Sequence, residues 1–119
     1  MPLDVRVVAR FQDILNHARD ALRYVANTDQ ALFQQDDMRH RDVERCLEVI
    51  GEAARALPEP IKTQFNTIPW PMMVGMRNIL THEYGRVNLV LVYRTVVDDL
   101  PVLIQQVEAI LAAHAPPSA

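Results

Sequence analysis

Trp70-Pro71-Met72-Met73-Val74-Gly75-Met76-Arg77-Asn78-Ile79-Leu80-Thr81-His82-Glu83-Tyr84 reads as one helix with two unlike sides. At about 3.6 residues per turn, Met73, Met76, Ile79 and Leu80 gather into an apolar stripe that can face a core. Arg77, Asn78, Thr81, His82 and Tyr84 fall on the other side within an arc of roughly 160°, Tyr84 at the border of the stripe. Arg77 and Thr81 are i,i+4 neighbours, as are Asn78 and His82. A surface helix in so apolar a chain normally ends in solvated Lys and Glu. This one gathers a guanidinium, an amide, a hydroxyl, an imidazole and a phenol. Spacing alone leaves two readings open: a site, or a helix whose last turn carries His82 before Gly85 as a cap favouring the macrodipole.

The chain around it, 119 residues, is long enough for one domain with one core and hardly for two. Half the residues are apolar, yet 6% are aromatic and three are Gly, which favours helices over a turn-rich β fold. No apolar run approaches the ~18 residues of a membrane span; one of the longest, Leu89 to Tyr93, stops at Arg94. Asp4 and Arg6 interrupt what would have to be the apolar block of a signal peptide. Cys46 is alone, so no internal disulfide forms and a reducing compartment suits the chain. The expectation is a soluble, cytoplasmic helical domain without a membrane segment.

Net charge is −3 and the isoelectric point is near 5.7, which argues against a broad basic patch for nucleic acid. Eleven of the twelve basic residues are Arg, with Lys62 the sole Lys. Arg suits bidentate phosphate contacts, although a GC-rich genome produces the same bias. A small local phosphate site remains compatible with this charge.

Apolar residues at three- and four-residue steps predict a first helix from about Asp4 to Ala26, along Val7/Val8, Phe11, Ile14/Leu15, Ala18, Leu22 and Val25. A second runs from Met38 or Arg41 to Leu57, with Asp36 or Asp37 as N-cap. Gly51 costs it about 1 kcal/mol relative to Ala, and with Ala53 and Ala54 marks a place where another helix approaches closely. Pro58-Glu59-Pro60 ends it, and Pro69 and Pro71 frame the start of the third. Asn88 caps a fourth, through about Ala113, in which Pro101 deletes the bond to the Val97 carbonyl and should kink the rod. Single short turns fit near Ala31–Phe33 and Ile61–Phe65, and residues 115–119 read as a disordered tail. His40-Arg41-Asp42 matches the kinase catalytic-loop tripeptide, but the downstream Asn is missing and the chain is too short. The prediction is an all-α, up-and-down four-helix bundle over residues 1–114 as a single domain. The rails of the first and fourth helices are broader than one neighbour covers, which favours a homodimer.

Glu48-Val49-Ile50-Gly51-Glu52-Ala53-Ala54, Ile68-Pro69-Trp70, Gly75 to Tyr84 and Asp99-Leu100-Pro101 together resemble the HepT family, the HEPN-domain toxins of type VII HepT–MNT toxin–antitoxin modules. The resemblance spans about Arg41 to Leu111. Its sharpest element is the family's Arg-x4-His-x-Tyr motif, matched by Arg77, His82 and Tyr84; Pro71, Met72 and Tyr93 depart from common family residues outside it. The resemblance implies a metal-independent endoribonuclease, homodimeric, with a cleft built from both copies of the motif. It also implies an MNT-type nucleotidyltransferase antitoxin as partner, able to adenylylate Tyr84.

The residues suit those roles. RNA brings its own nucleophile, the 2′-OH, so the protein must move protons and stabilise charge on phosphorus. An imidazole such as His82, with an ordinary pKa of about 6.5, exchanges protons near neutrality. Arg77 can grip phosphate oxygens, while Asn78 and Thr81 orient phosphate or imidazole. No cofactor and no metal are expected, since no Cys/His or paired-carboxylate set suggests a cation site and three scattered Gly form no phosphate loop. Two rivals stay open: a noncatalytic helical substrate-binding subunit of a nucleotidyltransferase, and a plain dimerisation module.

Overall fold

Asp4 opens the first helix, its Oδ1 accepting the Arg6 N–H at 2.8 Å, and α1 then runs Val5–Val25 in the computed structural model. The structure describes residues 3–80 and 88–114, apart from the Ile79 side chain. Asp29 caps a short α2, Gln30–Gln35, by accepting the Leu32 N–H. Asp36 does the same for α3, Asp37–Ala56, through the Arg39 N–H at 3.0 Å. These side-chain oxygens satisfy amide donors that have no partner inside a first turn. Next come α4, Glu59–Gln64, and α5, Trp70–Leu80. Asn88 then caps a rod made of α6, Leu89–Arg94, a π turn, Thr95–Asp99, and α7, Leu100–His114. All regular structure among the described residues is helical, so the expected all-α class stands.

Two long-range contacts set the direction of the rod against α1. Leu3 N–H donates to the His114 carbonyl at 3.2 Å, and Tyr93 Oη–H donates to the Thr28 carbonyl at 2.6 Å. The start of α1 therefore meets the end of α7, and the pair is antiparallel. The α1–α3 pair is antiparallel as well: the Arg39 guanidinium reaches the Tyr24 carbonyl at 3.1 Å, while Val7 and Arg10 share a cleft with Ala56 and Leu57. The predicted rails supply the core between them. Phe11, Ile14, Ala18, Val43, Leu47 and Ile50 are fully enclosed, and Val92, Val96, Leu100 and Val107 close it from the rod.

The two predicted turns are longer than expected, and each has an anchor. Phe33 holds α2 down, buried between Tyr93, with ring centroids 5.5 Å apart, and His40, at 6.2 Å. The segment after α4 is held by Trp70, whose Nε1–H donates to the carbonyls of Phe65 at 3.0 Å and Lys62 at 3.1 Å. The disturbance expected at Pro101 takes the form of the π turn just before it. Leu100 N–H donates to the carbonyl of Thr95, five residues back. Pro101 has no N–H for the Val97 carbonyl and would crowd it in an α turn; widening the preceding turn accommodates both facts. Burial, and secondarily Asp98, raises the carboxyl pKa of Asp99 at the end of that turn.

Cys46 is buried. Burial first, then Asp20 and Asp42, push its thiol up to about 11, so it stays protonated near neutral pH and fills core space rather than reacting. No helix among the described residues is long and apolar enough to cross a membrane. The tail, residues 115–119, lies outside the described residues.

Candidate functional site

Gly51 decides how closely α3 and α5 approach. A Cβ built on it would lie 3.2 Å from the Met73 carbonyl oxygen, 3.3 Å from Arg77 Cβ and 3.3 Å from Arg77 N. Two of those atoms belong to the α5 backbone, which cannot swing aside as a flexible side chain would. The missing methyl therefore seats Arg77 directly on α3, as the small residues Gly51, Ala53 and Ala54 foretold. On the same helix Trp70, Met73 and Met76 are buried, at 7%, 0% and 2% exposure. Of the stripe predicted from periodicity, Met73 and Met76 are buried and Leu80 is half-buried, while the Ile79 side chain lies outside the described residues; Arg77, half-buried, sits at the edge of the α3–α5 contact.

Arg77 is half-buried and Asn78 exposed. Both line a groove of about 580 Å³ whose other walls are Gly51, Arg55 and Val74. That volume is within the range of ligand-binding clefts. The charged groups among its described lining residues are two guanidiniums. Of the predicted site residues, the structure thus brings Arg77 and Asn78 together; Thr81, His82 and Tyr84, like the terminator Gly85, lie outside the described residues. Arg55 escaped the sequence reading. The available signal was its position four residues after Gly51, on the same face of α3.

A second glycine, Gly75, sits on α5. Among the described residues a Cβ at Gly75 would meet nothing within 4 Å, so α5 presents bare backbone to them there. His40, from the discarded tripeptide, is held structurally: its Nδ1 is 2.7 Å from Glu44 Oε2 and its Nε2 is 3.1 Å from Asp37 Oδ1, beside Phe33. Among the described residues no three His, Cys, Asp or Glu side chains converge as cation ligands.

Comparison with known proteins covers nearly the whole of this arrangement. The family described as Ribonuclease HepT-like matches residues 14–110, from the middle of α1 to the last turns of α7. A candidate RNase of Methanocaldococcus jannaschii is 36% identical over 104 residues, covering 87% of this chain and 95% of the relative. A candidate RNase of Caldanaerobacter subterraneus is 38% identical over 79 residues, 66% of this chain and 70% of the relative. A Thermococcus cleftensis protein named probable ribonuclease HepT is 41% identical over 59 residues, 50% of this chain and 54% of that one. No solved structure matches the chain. With a family match that takes in α3, α5 and the groove between them, the chain belongs to the HepT-like ribonuclease family.

Proposed function

We propose that the protein is the toxin of a type VII HepT–MNT module, a metal-independent endoribonuclease that works as a homodimer. The observation that carries this reading is the seating of Arg77 at the open α3–α5 groove in a chain of the HepT-like family. RNA docks with its scissile phosphate against Arg77. His82 takes the proton from the 2′-OH, the 2′-oxygen attacks phosphorus, and the 5′-oxygen leaves with a proton from His82 of the partner subunit. The products are a 2′,3′-cyclic phosphate and a 5′-hydroxyl. Arg77 stabilises the charge that builds on the equatorial oxygens of the phosphorane-like transition state. Asn78 and Thr81 orient the phosphate.

One His cannot be base and acid in the same step, and a twofold axis supplies the second. The bare strip at Gly75 lets a second α5 come close. Val90, Leu91, Val97 and Val102 leave an uncovered apolar rail on the rod, at 39%, 41%, 40% and 54% exposure. A homodimer accounts for both features. Light scattering at micromolar concentration is expected to give twice the 13.6 kDa chain mass; the mass of one chain would contradict the dimer.

The MNT-type antitoxin silences the toxin by transferring AMP to Tyr84. The added phosphate pairs with Arg77, and the adenosine blocks the path of RNA. Expressed with an active antitoxin, the wild type is expected to gain the mass of AMP on Tyr84 and to become harmless. Tyr84→Phe should stay toxic in the same cells. Modification mapping to Tyr24 or Tyr93, or a Tyr84→Phe chain silenced as well as the wild type, would overturn the assignment.

A further inference from the structure

We infer that Arg55 is a second phosphate-contacting residue, and that the α3–α5 groove holds an RNA phosphodiester neighbouring the one at Arg77. The inference rests on the ribonuclease reading of the Arg77 site and extends it to how the strand is held. Arg55 and Arg77 come from different helices and line the same groove. Gly51 brings them there twice over. Its missing side chain seats the Arg77 backbone on α3, and it leaves the floor of the groove open beside Arg55, one turn further along the same helix.

Among the described residues that line the groove, the charged groups are of one sign. Its remaining lining residues, Val74 and Asn78, are an apolar wall and a neutral amide. Arg55 is exposed, and no ion pair among the described residues engages it. The acids nearest along α3 do not neutralise the groove: Glu48 pairs with Arg45 at 3.2 Å, and Glu52 is exposed and absent from the lining. Two guanidiniums facing one open groove match a polyanion that offers a phosphate at every nucleotide, and Arg grips each in bidentate fashion. An acidic chain is compatible with an RNA substrate when a local pair of guanidiniums such as this one meets the strand.

The competing role for Arg55 is structural, a cation in the last turn of α3 favouring the helix macrodipole. The two roles separate in a salt titration. A 2′-O-methyl RNA oligonucleotide, which lacks the nucleophile, is bound to the full-length wild type, Arg55→Gln and Arg55→Lys over a range of salt concentrations. For single strands each phosphate contact contributes about 0.7 to the slope of log K against log salt. Arg55→Gln is expected to lower that slope by about 0.7 with an unchanged melting temperature, and Arg55→Lys to retain it. In cleavage, Arg55→Gln should raise KM and leave kcat near the wild-type value. An unchanged slope in Arg55→Gln, with or without a lower melting temperature, overturns the inference and leaves the ribonuclease reading intact if the wild type still binds and cleaves. A wild type that neither binds the oligonucleotide nor cleaves RNA overturns both.

Discussion

Replacing His82 by Ala is expected to slow RNA cleavage by about 10²–10⁴-fold, the usual contribution of a positioned proton-transfer group. Replacing Arg77 by Ala is expected to cost about 10²–10³-fold through lost stabilisation of transition-state charge. Of the atoms that crowd Gly51, Arg77 Cβ and N remain in alanine. The rest of the side chain, with its guanidinium, leaves the groove. Single-turnover cleavage rates at neutral pH, set beside melting curves, check the pair. An Arg77→Ala chain that cleaves within threefold of the wild type, or that loses activity only because it no longer folds, would contradict the role given to the guanidinium.

The largest effect on stability is expected at Phe11. It is fully buried, meets Phe65 edge-on with centroids 5.7 Å apart, and lies 6.1 Å from Trp70 in a tilted pair. Trp70 is the first residue of α5 and is itself tied to the carbonyls of Lys62 and Phe65. Phe11 therefore fixes the end of the helix that carries Arg77. Phe11→Ala removes a buried ring together with its two aromatic contacts, and is expected to cost about 3–5 kcal/mol. In a small domain whose total stability is on the order of 5–15 kcal/mol, that is a large share. Urea unfolding followed by circular dichroism should show the loss as a lower midpoint at unchanged slope. A loss below about 1 kcal/mol would mean that the site has relaxed around the gap, and that this contact does not anchor α5.

The sequence was most legible where one residue has one physical job. Asn88, and Asp36 or Asp37, were readable as caps because a short side-chain acceptor before an apolar rail has few other uses; Asn88 and Asp36 each accept an amide of the first turn, and Asp37 is the first residue of α3. Gly51 beside Ala53 and Ala54 was readable as a close approach, because glycine inside a helix is costly without a packing reason. The α3–α5 contact supplies that reason. Legibility failed where the outcome depends on which of two adjustments the chain makes. Pro101 announced a broken hydrogen bond, but a bend and a π turn both accommodate one, and the spacing of the residues does not distinguish them. Arg55 failed differently. An exposed Arg late in a helix looks like any solvated cation until the neighbouring helix is in place. Likewise α2 reads as a bare turn until Tyr93 and His40 flank Phe33.

The central claim is that Arg77 and His82 cleave RNA through its own 2′-OH without a metal. Its most direct test incubates purified wild type with a defined RNA in excess EDTA and identifies the ends of the fragments by mass spectrometry. Undiminished cleavage is expected, with 2′,3′-cyclic phosphate on one fragment and a 5′-hydroxyl on the other. Fragments ending in a 3′-hydroxyl, or cleavage abolished by EDTA, would contradict it.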